Sequence, residues 1–356
     1  MIRAFIKQGH EVVALAPEQG FEDEIAGLGA TYRTFPLQRT GMNPLKDLGA
    51  LIRLIQIIKE VKPDIVLTYT IKPVIYGSLA ARFAGVKNVY SMITGLGYAF
   101  GNDTVRQKLI GLFVKILYRI ALDCNNKVFF QNPDDRNCFR KISLIVDEQA
   151  VLINGSGVNT ERFSLCEAQT HPVRFLLIAR MIKEKGIHDY IAAIKLIRQK
   201  FPEVEFAILG SIETSPSAIS KYEIHAWEEE GLVRYLGETA DVRPYIANAS
   251  VYVLPSFYPE GTPRSILEAM SMGKPIITTN SPGCKETVQD GVNGFLVPVK
   301  DSRALAQAME RFIVQPGLIT AMGGESRRIA LEKYDVHKVN KAILNTMGLI
   351  MHEENI

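Results

Sequence analysis

Two carboxylates, Glu260 and Glu268, bracket the start of a helix in the stretch FYPEGTPRSILEAM. An ionised carboxylate only accepts hydrogen bonds, so the pair suits a ligand rich in hydroxyls. Thr262 reads as an N-cap and Pro263 as the first helical residue. The amides of Arg264 and Ser265 are then among the donors a helix leaves free at its N-terminus, which favours anions and phosphate in particular. The same residues also fit a capped surface helix with an Arg264–Glu268 pair one turn apart.

A second group lies in LLIARMIKEKGIHDYIAAI, residues 176–194. A strand ends near Ala179, and Arg180 and Lys185 follow before a helix starting at Gly186–Ile187. Arg grips a diphosphate as a fork and Lys as a point charge, although charged loop residues are also common as solvated surface. Phosphates for the cations and the helix end, and hydroxyls for the carboxylates, are what a nucleotide sugar offers. In the first half, TYTIKPVIYG (68–77) and MITGLGYAFG (92–101) each follow a strand. Lys72 fits an anionic acceptor or a solvated loop lysine. Gly95, Gly97 and Gly101 fit close approach to a ligand or tight turns.

Those groups need strands to carry them. Short apolar, β-branched runs occur at 12–17, 64–70, 88–94, 127–132 and 150–154, and again at 173–179, 204–210, 233–237, 250–256, 274–279 and 294–298. Helical patterns separate them, including Leu45–Val61, Ile75–Ala84, Val105–Leu122, Ile187–Gln199, Arg264–Met272 and Arg303–Ile313. This alternation predicts parallel sheets covered by helices on both faces. The length of 356 residues fits two such domains, with the seam in the polar stretch 154–172. Ligands of open α/β sheets bind beyond the carboxyl ends of strands, so a cleft between two facing domains is expected. One expectation runs against the pattern. The chain opens in a helix with Ile2, Phe5 and Ile6 on one face. A doubly wound domain places a strand and a Gly-rich turn ahead of that helix, and that strand is central. The first sheet is therefore expected to lack its central strand, or the natural chain to start upstream.

Net charge is +3, which carries no nucleic-acid footprint. The charge is uneven: through Arg162 there are twenty Lys/Arg against fifteen Asp/Glu, and beyond it twenty-one against twenty-three. A basic first half fits an anionic surface or ligand there, or drift in surface composition. The four cysteines have no paired spacing, and with no signal peptide the expected compartment is reducing and cytoplasmic. The six histidines form no cluster, so no protein-built metal site is expected. In the helix 105–122, Leu109, Leu112, Phe113, Ile116, Leu117 and Ile120 form an apolar stripe beside Arg106, Lys108, Lys115 and Arg119. A basic amphipathic helix of this kind covers a sheet with a solvated basic face, or lies on an anionic membrane.

In this order the pieces resemble retaining glycosyltransferases of family four, with the GT-B architecture of two facing Rossmann-like domains. The match runs over nearly the whole chain and is most specific in the E-x7-E motif, EGTPRSILE (260–268), continued by EAMSMGKPIITTNSPGCKETVQDGVNGFLV. IARMIKEKG is similar to that family's donor-phosphate clamp, and TIKPVIYGSLAARFAGV and ITGLGYAF to the subgroup extending bacterial lipid-linked surface glycans. The resemblance implies an acceptor domain over 1–165, joined by a final helix from 337 to 356, and a donor domain over 166–336. It implies that Arg180 and Lys185 hold the donor diphosphate, that Glu260 binds the transferred sugar, and that Glu268 binds the ribose. Gly261, Thr262, Arg264 and Ser265 would meet sugar or phosphate; Gly210, Gly237, Glu238 and Thr239 would lie near the nucleotide. Lys72, Thr94, Gly95 and Gly97 would lie on the acceptor side. Many members carry a His where this chain has Thr94 and Gly95, so no catalytic His is assigned. The implied reaction moves a hexose or N-acetylhexosamine from a UDP-sugar co-substrate to a polyprenyl-diphosphate-linked saccharide, without metal or cofactor. The implied place is the inner face of the cytoplasmic membrane. The competing readings are a truncated or degenerate relative that binds nucleotide sugar without transfer, and a nucleotide-sugar epimerase.

Overall fold

The computed structural model describes residues 1–17, 19–37, 43–97 and 105–350. Gly101 lies outside them, as do the side chains of Arg106, Lys108 and Leu109. The chain divides into two compact units: Met1–Ile153 with His337–Ile356, and Asn154–Val336.

The first unit alternates α1 (Ile2–Lys7), β1 (Val13–Ala16), α2 (Glu22–Ala26), β2 (Thr31–Thr34), α3 (Pro44–Val61), β3 (Ile65–Tyr69), α4 (Ile71–Phe83), β4 (Asn88–Ile93), α5 (Val105–Leu122), β5 (Lys127–Phe130), α6 (Pro133–Lys141) and β6 (Ala150–Leu152). α3 begins where the Asn43 side chain accepts from the Lys46 amide and Pro44 supplies a helical φ without a donor. β2 escapes the sequence pattern because TYRT has no apolar run; it is an edge strand with every second residue exposed. β1 and β2 pair in parallel, and β3-β4-β5-β6 form a separate parallel sheet. A doubly wound order puts the strand ahead of α1 between β1 and β3. Among the described residues no strand lies there, and the neighbours register it. Val13–Ala16 and Ile65–Leu67 are half-buried, whereas the strands Val251–Leu254 and Ile276–Thr279 of the other unit are fully buried. Leu15 and Val66 nonetheless pack with one cluster, formed by α3 and α4 through Leu54, Ile57, Ala80 and Ala81.

α3, α4 and α5 lie side by side. Val114, Tyr118, Ala121 and Leu122 of α5 are buried, while Leu112, Phe113, Ile116 and Ile120 are exposed. Of the apolar stripe read from the sequence, these four members face solvent and Leu117 is half-buried against the core. α3 likewise exposes Leu45, Leu48 and Ile52.

The second unit runs β7 (Arg174–Ile178), α7 (Ile187–Arg198), β8 (Glu205–Leu209), α8 (Lys221–Glu229), β9 (Arg234–Tyr235), α9 (Arg243–Asn248), β10 (Val251–Leu254), α10 (Arg264–Ser271), β11 (Ile276–Thr279), β12 (Gly294–Val297), α11 (Ser302–Val314) and α12 (Gly317–Ile329). Its six strands are all parallel, in the order β12-β11-β10-β7-β8-β9. Successive strand residues feed opposite cores: Phe175 and Leu177 join one cluster, and Leu176 and Tyr252 the other. The chain reverses direction across the sheet between β7 and β10, the switch point where open α/β sheets bind ligands.

The boundary falls at Ile153/Asn154, ahead of the expected 165/166. The segment after Asn154 is held by long-range bonds that local composition hides. Thr160 Oγ1 donates to Asp335 at 2.6 Å, and the Phe163 carbonyl accepts from Ser271 Oγ at 2.7 Å. The final helix, α13 (Val336–Thr346), packs Val339 and Ile343 against Tyr90, Met92 and Phe129 of the first unit. Residues 351–356 of that expected helix lie outside the described residues.

Candidate active site

The loops after β7 and β10 meet at the switch point because one residue between them has no side chain. Gly186 is left-handed at φ 74°, and a Cβ there would stand 2.0 Å from the Pro255 carbonyl oxygen. The Phe257 amide then donates to the Glu184 carbonyl at 2.9 Å. This seam brings Lys185 Nζ to 2.7 Å from Glu260 Oε1, and both side chains are nearly buried. Ser256 Oγ donates to the same oxygen at 2.8 Å. Arg180 is half exposed, 3.7 Å from Glu213 across the loop after β8. The Tyr258 ring receives Lys185 Nζ at 5.4 Å and the Arg180 guanidinium at 6.0 Å from its centroid.

Glu260 is held from behind by the turn after β11. Gly283 is left-handed at φ 84°, and a Cβ there would fall 2.7 Å from the Glu260 carbonyl oxygen and 2.2 Å from that of Gly261. Ser281 Oγ donates to the Ser256 carbonyl at 3.0 Å. Burial and the Glu260 carboxylate push the nearby Cys284 thiol up to about 12, which keeps it neutral and unreactive.

α10 begins one residue later than the sequence predicts. Pro263 is its N-cap, with ψ 116°, so Thr262 stands one position ahead of the N-cap. Thr262 is buried instead, and a Cβ on Gly155 would lie 2.9 Å from its own. The first-turn amides of Arg264 and Ser265 still lack intrahelical acceptors. Tyr252 ties that turn to β7: its hydroxyl donates to the Ile178 carbonyl at 3.0 Å and lies 2.6 Å from Ser265 Oγ. The Arg264–Glu268 pair forms at 3.0 Å, but the helix is not a surface helix, since Ile266–Ser271 are all buried. Burial pushes the Glu268 carboxyl above its usual range, against the pull of Arg264.

Gly210 has a structural duty that its motif did not disclose: a Cβ there would stand 1.9 Å from the Ala179 carbonyl oxygen. Its amide donates to the Gly237 carbonyl at 2.8 Å, and its carbonyl accepts from the Tyr235 hydroxyl at 2.7 Å. Thr239 Oγ1 accepts from the Asp241 amide at 3.1 Å, and Glu238 is exposed. Arg180, Lys185, Glu260 and Gly261 thus converge on one switch point, with Gly210 and Gly237 on its flank.

In the first unit, Lys72 is already matched: its Nζ lies 2.8 Å from Asp47 Oδ1, and the Tyr76 hydroxyl donates to Asp47 Oδ2 at 3.0 Å. Thr94, Gly95 and Gly97 follow β4, and a Cβ on Gly97 would lie 3.1 Å from Ile71 at the start of α4. Among the described residues no group of His, Cys, Asp or Glu has metal-ligand geometry. Sequence reasoning passed over Tyr258, Ser256, Glu213 and Gly283. An aromatic beside the first carboxylate was the available signal for Tyr258; Gly283 carries none, because its contact is made through the fold.

Comparison with known proteins places the chain among glycosyltransferases. The model of the group 1 glycosyl transferases matches residues 172–315, and that of the 4-like glycosyl transferases matches residues 1–132. Over 348 residues the chain is 23% identical to N,N'-diacetylbacillosaminyl-diphospho-undecaprenol alpha-1,3-N-acetylgalactosaminyltransferase of Campylobacter jejuni, covering 94% of this chain and 90% of that one. It is 27% identical over 308 residues to UDP-Gal:alpha-D-GlcNAc-diphosphoundecaprenol alpha-1,3-galactosyltransferase of Escherichia coli, covering 83% and 77%. The crystal structure of Anabaena HepE in complex with UDP superposes with a TM-score of 0.77 at 19% identity, over 98% of this chain and 95% of that one. Sucrose-phosphate synthase of Thermosynechococcus elongatus gives 0.80 at 18%, over 96% and 90%. The fold is GT-B, and the activity is that of a glycosyltransferase. Within that class the chain belongs to family four, among relatives named for lipid-linked, capsular and lipopolysaccharide glycan synthesis.

Proposed function

We propose that this enzyme moves a hexose or N-acetylhexosamine from a UDP-sugar to a polyprenyl-diphosphate-linked saccharide during surface-polysaccharide synthesis, retaining anomeric configuration and using no metal. The observation that carries the reading is the Lys185–Glu260 pair at the switch point, with Arg180 on the same aromatic ring. Arg180 and Lys185 grip the departing diphosphate, where negative charge develops, and cations aimed there lower the barrier. Glu260 binds the sugar and Glu268 the ribose. The backbone from Gly261 to Ser265 meets sugar or phosphate, and Gly210 with Gly237, Glu238 and Thr239 lies against the nucleotide. The acceptor hydroxyl attacks on the face the diphosphate leaves, and a donor phosphate oxygen takes its proton. Asn154–Val336 form the donor domain; Met1–Ile153 with His337–Ile356 serve the acceptor, through Thr94, Gly95, Gly97 and the Lys72 region.

Incubation with UDP-GalNAc, UDP-Gal or UDP-GlcNAc and a polyprenyl-diphosphate saccharide is expected to yield an α-linked glycolipid, unchanged by EDTA. Absence of both transfer and donor hydrolysis with all three donors sinks the reading. A β-linked product removes the retaining mechanism alone.

Glu268 adds a pH signature. Ribose hydroxyls donate to the ionised carboxylate, so protonation removes the acceptor. Burial raises its pKa, so UDP affinity is full above that raised value and falls as pH drops through it. Calorimetric titration between about pH 4.5 and 7.5 reads this, and an unchanged slope in Glu268→Gln counts against the ribose role.

Among the described residues no helix is long and apolar enough to cross a membrane. The exposed stripes of α3 and α5, with Lys46, Arg53 and Arg119 among their exposed neighbours, support peripheral docking on the anionic inner face of the cytoplasmic membrane. Flotation with vesicles containing phosphatidylglycerol is expected to carry the native protein and to lose a Phe113→Ser, Ile116→Ser variant. Equal flotation of the two refutes this surface.

A further inference from the structure

We propose that Tyr258 is a positioning residue of the donor clamp, its ring being the shared aromatic contact against which Arg180 and Lys185 are held toward one anion. The inference rests on the reading above that these two cations grip the diphosphate.

Two cations on one loop repel, and here they have unequal support. Lys185 is nearly buried and paired with Glu260 at 2.7 Å. Arg180 is half exposed, and Glu213 at 3.7 Å is too far for a hydrogen bond. An ion pair of that kind holds a long side chain weakly. The Tyr258 ring supplies what the carboxylates do not: an electron-rich face that attracts both cations without neutralising either. The centroid distances of 5.4 Å and 6.0 Å lie within the range of that attraction. The ring also has a fixed base. The Tyr258 amide donates to Ser256 Oγ at 3.2 Å, and its carbonyl accepts from the Glu260 amide at 2.8 Å. The ring therefore sits on the short turn that sets Glu260, and the cations and the carboxylate share one frame. A carboxylate in the ring's place would hold the cations equally well but would repel the diphosphate; the ring leaves their charge available.

The test compares Tyr258→Leu, Tyr258→Phe, Arg180→Ala and the double variant Tyr258→Leu, Arg180→Ala by kcat, KM for the UDP-sugar and melting temperature. Tyr258→Leu is expected to lower kcat/KM about tenfold or more with an unchanged melting temperature, and Tyr258→Phe to recover most of it, since the π face remains. In the double variant the loss from Tyr258→Leu shrinks, because one of its cations is gone. Ring-current shifts of the Lys185 and Arg180 side-chain protons give a reading that needs no turnover. They are expected upfield in the native protein and near random-coil values in Tyr258→Leu. Tyr258→Leu with native kcat/KM, or Tyr258→Phe as impaired as Tyr258→Leu, overturns the proposal. So does full additivity in the double variant. If Arg180→Ala itself keeps native turnover, the donor reading fails. If Arg180→Ala is inactive while Tyr258→Leu is native, the inference about Tyr258 fails alone.

Discussion

Replacing Lys185 with alanine is expected to lower the turnover number about a thousandfold and to lower stability as well. The two losses have different origins. Removing one preorganised charge from a developing anion typically costs about 10²–10³ in rate. Lys185→Ala also leaves Glu260 as a nearly buried carboxylate supported by Ser256 Oγ, at the position the diphosphate must approach. Repulsion then adds to the lost attraction. Removing one partner of a buried ion pair costs about 3–5 kcal/mol because the other charge stays behind. The double variant Lys185→Ala, Glu260→Ala should therefore melt higher than Lys185→Ala while remaining inactive. That reversal separates the pair's structural cost from its catalytic use. Transfer by Lys185→Ala within tenfold of native would remove Lys185 from the clamp.

Gly283→Ala is expected to lower both stability and transfer, because the added methyl group has no room beside the Glu260 turn. The new Cβ would stand 2.2 Å from the Gly261 carbonyl oxygen, and backbone, unlike a flexible side-chain end, cannot swing away. The residue is also at φ 84°, a conformation costly for an L side chain. Together these should cost about 2–4 kcal/mol. Relief requires the Glu260–Gly261 turn to move, and a shift of about 1 Å at reacting groups costs on the order of 10²-fold in rate. Gly291→Ala is the control: it has φ 75° and nothing within 4 Å of its Cβ, so it carries the backbone strain without the clash. Its transfer rate should stay native. Equal rates for the two variants would detach Glu260 from the turn that supports it.

The fold was readable where period carried it. Alternating apolar runs announced eleven strands because fully buried parallel strands need continuous β-branched or apolar residues. β2 was silent for the opposite reason: TYRT lies at an edge and buries little. Among the described residues β1-β2 and β3-β4-β5-β6 form separate sheets, with no strand joining β1 to β3. Thr262 shows the limit of local rules. It has an N-cap's chemistry in front of a proline, yet its packing on Gly155, more than a hundred positions away, decides its place.

By itself the sequence determined that an E-x7-E pair stands at one strand-to-helix junction and two cations at another, with the sheets to carry both. Neighbouring positions on a single turn are fixed by local geometry, so their relation survives without knowledge of the rest of the chain. The tertiary structure alone decided that Lys185 meets Glu260 across seventy-five positions, that both cations reach the Tyr258 ring, and that Gly283 presses on the Glu260 turn. Those contacts arise where β7 and β10 become neighbours at the switch point and glycines let backbones touch, and close packing between distant segments leaves no periodic trace in sequence.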